Sequence, residues 1–208
     1  MGTIDKGVRV LAAVEEIGPC ALADLVTATG LSRATTHRLA VALETHGLLR
    51  RTVEGRFALG LRLVGLGRAA TDALPLAEAA ASALAALRDA TGESVQLYVR
   101  EGEHRVCIAS LESPHGLRTI VPVGATLPLD RGSAGRVLRG EPVGGWRESV
   151  EEREPGVASV SAPVLDDAGR VVAAVGVSGP VERTSRRPGE RYGAAVLDAA
   201  RVIEAALR

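Results

Sequence analysis

Five arginines, Arg33, Arg38, Arg50, Arg51 and Arg56, fall between Gly30 and Arg56 against only two acids, Glu44 and Glu54, with His37 and His46 among them. A guanidinium fork matches phosphate oxygens and the edge of a guanine, so these side chains could hold a nucleic acid. Thr35, Thr36 and His37 add hydrogen-bonding groups, and the small Ala34 permits close approach to a thymine methyl. Ser32 stands where it can cap a helix, whose first backbone amides would also face a phosphate. The whole chain has 25 basic and 25 acidic residues and no net charge, so any such role rests on this local concentration. Arginines on a surface are most often a solvated face, and what they can do depends on the elements that carry them.

Those elements are legible in the spacing. Ile4, Val8, Leu11, Val14 and Ile17 recur at three- and four-residue steps and predict a first helix, ended by Gly18-Pro19. Leu22, Leu25 and Val26 predict a short second helix that stops at Gly30, and a third runs from Arg33 to His46 and stops at Gly47. On the third, Thr36, Leu39, Ala40 and Leu43 share a core face, which turns Ala34, Arg38, Val41 and Thr45 outward and puts Thr35 and His37 on the flanks. The stretch from Leu48 to Leu59 predicts two short strands around a turn at Glu54-Gly55, a wing after a helical trio. A winged helix-turn-helix is therefore expected over residues 1–60, with Arg33 and Arg38 on its reading helix and Arg50, Arg51 and Arg56 on its wing, facing double-stranded DNA. The alternative is a winged-helix protein-interaction module that reads no DNA.

A linker helix is expected over residues 61–74 and a larger domain over 75–208. In the latter, a helix from Leu76 to Ala90 precedes strands Ser94–Arg100 and Arg105–Leu111, and further strands are expected at Leu117–Val123, Ser159–Leu165 and Arg170–Val177. A helix from Gly193 to Leu207 closes the chain, after a charged, solvated loop at Arg183–Arg191. Helices bracketing antiparallel hairpins, without βαβ alternation, indicate an α+β sensor-like domain.

Catalysis finds little support. The four histidines are His37, His46, His104 and His115, the cysteines Cys20 and Cys107 are far apart, and no metal-binding, phosphate-loop or nucleophile-elbow pattern occurs. Neither an enzyme, a cofactor nor a metal is expected, and Cys107, inside a strand, reads as a small buried apolar residue. With no signal-like start and no apolar run of about 18 residues, the chain is expected to be cytoplasmic with no membrane partner.

Gly30-Leu31-Ser32-Arg33-Ala34-Thr35-Thr36-His37-Arg38-Leu39 resembles the Gly-Leu-x-x-x-Thr-x-x-Arg-Leu pattern of the isocitrate lyase regulator (IclR) family. Phe57-Ala58-Leu59-Gly60 is similar to that family's wing ending, and Gly124 to Leu129 to its Gly-x-x-x-Pro-Leu loop. Ala162-Pro163-Val164 and Val177-Ser178-Gly179-Pro180 resemble its closing strands. The resemblance implies a GAF-like effector-binding domain, a homodimer or a tetramer built of dimers, palindromic operator DNA, and a small-molecule effector: an amino acid, a keto acid or a related carboxylate. Phrases such as Thr91-Gly92-Glu93-Ser94 look like actinobacterial members that control leucine-type amino-acid biosynthesis.

Carried over by position, the resemblance places effector contacts at Ser133, Ala134, Ser149, Ser159, Gly176 and Ser178. Ser133-Ala134-Gly135 would open a helix whose amides can face a carboxylate, while Ser159 and Ser178 would add hydroxyls from strands. Small residues of this kind also serve turns and packing. Two departures stand out. Ser149 and Gly176 replace an acid and a serine found in many relatives, which makes the expected pocket less polar. Only Arg139 to Gly145 separates the helix ending near Leu138 from Trp146, where relatives carry a longer, partly helical segment. Either a wall of the pocket has been lost or a stretch is missing from the sequence.

Overall fold

The computed structural model describes residues 2–72, 75–140 and 145–208. The chain divides into two compact units, Met1–Ala73 and Leu74–Arg208.

In the first unit, α1 (Thr3–Ile17) starts where the Asp5 carboxylate accepts the Gly2 amide and ends at Gly18, whose φ of 80° continues no helix. α2 (Leu22–Thr29) ends on Gly30 in the left-handed conformation. The Ser32 hydroxyl then accepts the Thr35 amide at 3.3 Å and starts α3 (Arg33–Thr45). β1 (Leu49–Arg51) and β2 (Phe57–Leu59) pair antiparallel as the wing. Cys20 extends that pairing by exchanging two backbone hydrogen bonds with Phe57, which ties the α1–α2 corner to the wing. Val10, Val14, Leu25, Ala40, Leu49 and Phe57 close the core. At the foot of the wing, Gly60 donates to the Leu48 carbonyl at 2.8 Å, so close to Gly47 that a Cβ there would collide with the backbone. α4 (Arg62–Asp72) follows.

The second unit is a six-stranded antiparallel sheet in the order β5-β4-β3-β8-β7-β6. Its strands are β3 (Ser94–Glu101), β4 (His104–Leu111), β5 (Thr126–Pro128), β6 (Arg147–Val150), β7 (Val157–Leu165) and β8 (Val171–Pro180). Because side chains alternate along a strand, Val95 and Leu97, Val160 and Ala162, and Val175 and Val177 share one face. They pack under α5 (Pro75–Thr91) and α8 (Pro188–Ala206) in the main core. The opposite face carries Tyr98, Cys107 and Ala174, which pack with Ala134, Val137 and Leu138 of α6 (Ser133–Leu138). Trp146 lies against α8, which has Gly189 and Gly193 at the contact, and any Cβ there would meet the indole.

Several expectations need correction. Leu117–Val123 is not a strand. Pro122 has no amide to give a ladder, and β5 takes the edge of β4 instead, pairing Leu127 with Arg105. The segment is pinned by side chains: Ser94 donates to the Thr119 carbonyl at 2.6 Å and accepts the Ser113 amide at 3.0 Å. Arg183–Arg191 is not a solvated loop. It holds the end of α7 (Val181–Thr184) and the start of α8, and Arg183 grips buried Glu93 with two hydrogen bonds of 2.6 and 2.8 Å. β6 was not foreseen, because its four residues, Arg147-Glu148-Ser149-Val150, show no clear apolar alternation.

Candidate nucleic-acid interface and ligand pocket

Ser32 both caps α3 and hydrogen-bonds Thr35 Oγ1 at 3.0 Å, so the start of the helix is fixed by its own hydroxyls. Beyond the cap, Arg33, Ala34, His37 and Arg38 are exposed on one side of α3, and Arg50 is exposed on β1. Among the described residues no carboxylate engages Arg33, Arg38 or Arg50, which leaves their charges directed at solvent. The other two wing arginines do structural duty as well. Arg51 bonds Glu44 at 3.4 Å and the Gly55 carbonyl at 2.8 Å and lies over the Phe57 ring at 3.6 Å. Arg56 donates to the Pro19 carbonyl at 3.3 Å. Thr36 is a correction to the expected reading set. It is 0% exposed, and its hydroxyl spends its proton on the Ser32 carbonyl at 3.0 Å, so it is a core residue that burial keeps from a base. A residue the sequence did not single out, Lys6 of α1, lines one cleft with Thr35 and Arg38. Only the packing of α1 against α3 places it there.

In the second unit the six expected ligand contacts, Ser133, Ala134, Ser149, Ser159, Gly176 and Ser178, line one cavity on the α6 face of the sheet. Register explains the convergence: Ser149 pairs with Ser159, Ser159 with Ser178, and Ser161 with Gly176. The Ser133 hydroxyl bonds Ser159 at 2.9 Å and Ser161 at 2.8 Å, joining α6 to β7. Gly176 lacks a side chain because Ser161 Oγ occupies the space a Cβ would need. The cavity is tight, with a volume of about 30 Å3. The helix start offered to a ligand carboxylate is in part already used. The Gly132 amide donates at 3.0 Å to Glu152, whose other oxygen takes Arg136.

Sequence reasoning missed Gln96, Tyr98, Arg105, Arg153 and Ser161 in this lining. Gln96, Tyr98 and Arg105 stand on β3 and β4, and their pocket-side placement follows from strand pairing, for which the sequence has no local signal. Burial raises the Tyr98 phenol above its ordinary range, opposed by the guanidinium charges of Arg105 and Arg153. Burial pushes the Cys107 thiol up to about 11, as suits a packed apolar residue.

The family model described as the IclR helix-turn-helix domain matches residues 3–52. The model described as the bacterial transcriptional regulator IclR C-terminal matches residues 68–140 and 143–205. The chain is similar to the glycerol operon regulatory protein of Streptomyces coelicolor, 28% identical over 219 residues that cover 88% of this chain and 86% of that protein. It is also similar to the DNA-binding transcriptional repressor YiaJ of Escherichia coli, 30% identical over 199 residues covering 76% of this chain and 71% of that protein. An IclR homolog from Microbacterium hydrocarbonoxydans, solved in complex with 4-hydroxybenzoate, shares the fold at a TM-score of 0.84 and 21% identity, covering 100% of this chain and 99% of that one. The match to the Streptomyces protein runs over 219 positions, more than the 208 residues of this chain. The C-terminal family model breaks at the short connection between residues 140 and 143.

Proposed function

The chain belongs to the IclR family of bacterial transcriptional regulators and is a DNA-binding regulator, and from that premise we propose which surfaces it uses and what it responds to. DNA is read by the exposed side of α3, through Arg33, Ala34, Thr35, His37 and Arg38. Ser32, Lys6 and the wing residues Arg50, Arg51 and Arg56 contact phosphates. The observation that carries this reading is the cation-bearing face of α3 beside the wing, with no carboxylate on Arg33, Arg38 or Arg50 among the described residues. The cavity beneath α6 binds the effector, with Ser133, Ala134, Ser149, Ser159, Gly176 and Ser178 among its contacts.

The protein acts in the cytoplasm as a homodimer or a dimer of dimers on a palindromic operator, which the apolar residues left exposed on α1 and before and along α4, Ile4, Val8, Leu61 and Val64, support. Among the described residues no helix is long and apolar enough to cross a membrane. The target genes belong to amino-acid biosynthesis of the leucine type, a reading that rests on sequence resemblance; the Streptomyces relative is named for the glycerol operon.

Genome-wide capture of DNA by the purified protein, at two salt concentrations, tests this. A palindromic site beside biosynthetic genes, bound with a steep salt slope, is expected. Arg38→Ala should then weaken operator binding by about 1–3 kcal/mol if the fork meets a base edge. Enrichment of no site above background would leave the winged unit as a protein-interaction module.

A further inference from the structure

The cavity beneath α6 is too tight to work as it stands. Its volume of about 30 Å3 suits a single water, whereas pockets that hold small organic ligands run to about 300–1,000 Å3. Two buried donors in its lining, Arg105 Nε and Gln96 Nε2, have no partner, so its polar groups are incompletely satisfied. A ligand reaches them only if a wall moves.

Most of the walls are fixed. The floor stands on β3, β7 and β8, each hydrogen-bonded to a strand on both sides. α6 packs Ala134, Val137 and Leu138 against the sheet, and its Ser133 hydroxyl bonds Ser159 and Ser161. β6 is held at α8 by Trp146 and by Glu148, whose carboxylate accepts the Gly189 amide at 2.8 Å.

The turn between β6 and β7 differs. None of residues 151–156 is buried, and the turn lines the cavity only through Arg153. Backbone bonds clamp its two ends: the Glu151 amide donates to the Val157 carbonyl at 2.8 Å, and the Val181 amide donates to the Gly156 carbonyl at 2.8 Å. Glu151 and Gly156 have φ of 57° and 75°, left-handed corners on either side of the tip at residues 152–155. Among the described residues, one side chain of the tip hydrogen-bonds to α6 and the residue before it: Glu152 accepts the Gly132 amide at 3.0 Å and pairs with Arg136. The two partners are 30% and 37% exposed, so water and salt weaken the pair. Against it stands the charge of Arg153, which the closed tip brings toward Arg105. Arg153 is partly exposed and offset by Glu154 at 3.5 Å, so that opposition is slight. A segment with no buried side chain, held by one screened contact, lies at the low-stability end of the fold.

Taking the cavity to be the effector site, we propose that residues 152–155 form its gate, latched shut by Glu152 on α6 and hinged at Glu151 and Gly156. Release of Glu152 swings the tip outward and uncovers the floor, while α6, β6 and β7 keep their places.

Alkylation of a thiol placed in the floor tests the gate without any effector. Ser178 is 6% exposed, and Ser178→Cys in the full chain is treated with iodoacetamide, the rate being followed by mass spectrometry. The thiolate sulfur displaces iodide from the reagent's carbon. Cys107, 0% exposed and packed against α6, reports in the same molecule whether that helix lifts. With Glu152→Gln added, the thiol introduced by Ser178→Cys should react about 3- to 10-fold faster, the range for loss of a partly exposed charged contact, with Cys107 unchanged. Raising NaCl from about 0.05 to about 0.5 M should also speed the reaction, and less so once Glu152→Gln is present. Arg136→Gln removes the latch from its other side if Glu152→Gln does not fold by circular dichroism, and Ser161→Cys reports from the floor if Ser178→Cys does not. An unchanged rate overturns the gate, and so does a Cys107 that accelerates in step, which places the opening at α6. Operator affinity before and after alkylation reads the effector role separately: no change there refutes the effector site and leaves the gate standing.

Discussion

At the scale of single residues, burial decides which side chains are available for chemistry. Thr36 and Arg38 are two positions apart in one recognition-like motif, yet one is a core hydroxyl and the other an exposed cation. The helical period separates them, and the same period read from the sequence already put Thr36 on the core face. Cys107 has a consequence that can be measured. Its thiol is held up to about 11 when folded, while an unfolded thiol titrates near ~8.5. Between those values the unfolded chain has lost its proton and the folded chain keeps it. The stabilisation is therefore complete below the unfolded value and is lost as pH rises through the folded one. Stability against urea should fall from pH 9 to 11, less steeply in Cys107→Ala, and an equal slope in the two proteins would exclude the thiol as its source. Glu93 gives a second residue-scale expectation. It is 2% exposed and balanced by Arg183, so Arg183→Ala should cost about 3–5 kcal/mol in urea unfolding. Glu93→Gln in that background should recover part of the loss.

Among the elements, close backbone approach does work that composition does not show. The wing is two three-residue strands, too little to stand alone, and it is held by Cys20 on one side and by the Gly47–Gly60 contact at its foot. Gly60→Ala would force the two segments apart, and a loss of about 1–3 kcal/mol is expected by chemical denaturation. An undiminished midpoint would show that the contact relaxes freely. The helix trio was legible because its caps and breakers, Gly18, Gly30, Ser32 and Gly47, sit where the apolar period stops. The edge elements β5 and β6 were not, because three or four residues carry too short a pattern and owe their conformation to the strand beside them.

For the molecule as a whole, the division into Met1–Ala73 and Leu74–Arg208 gives each unit its own core. The only tryptophan, Trp146, lies in the second unit, so its fluorescence follows that unit's unfolding, while ellipticity follows both. Phe57→Ala removes the largest side chain of the small core and should cost that unit about 3–5 kcal/mol. On heating, ellipticity should then begin to fall before the Trp146 signal moves; coincident transitions would mean that the units unfold as one. By itself the sequence determined the order of the helices, the wing, the antiparallel character of the second unit and the small residues of its pocket. Periodicity, caps and turn residues are local properties, and the motif order added the family. The tertiary structure alone decided that Lys6 joins the α3 face and that Arg105 and Gln96, each with a donor left unpartnered, line the cavity. Those facts depend on which strand lies beside which and on what is left without a partner once the chain is packed, and neither is written in the spacing of residues.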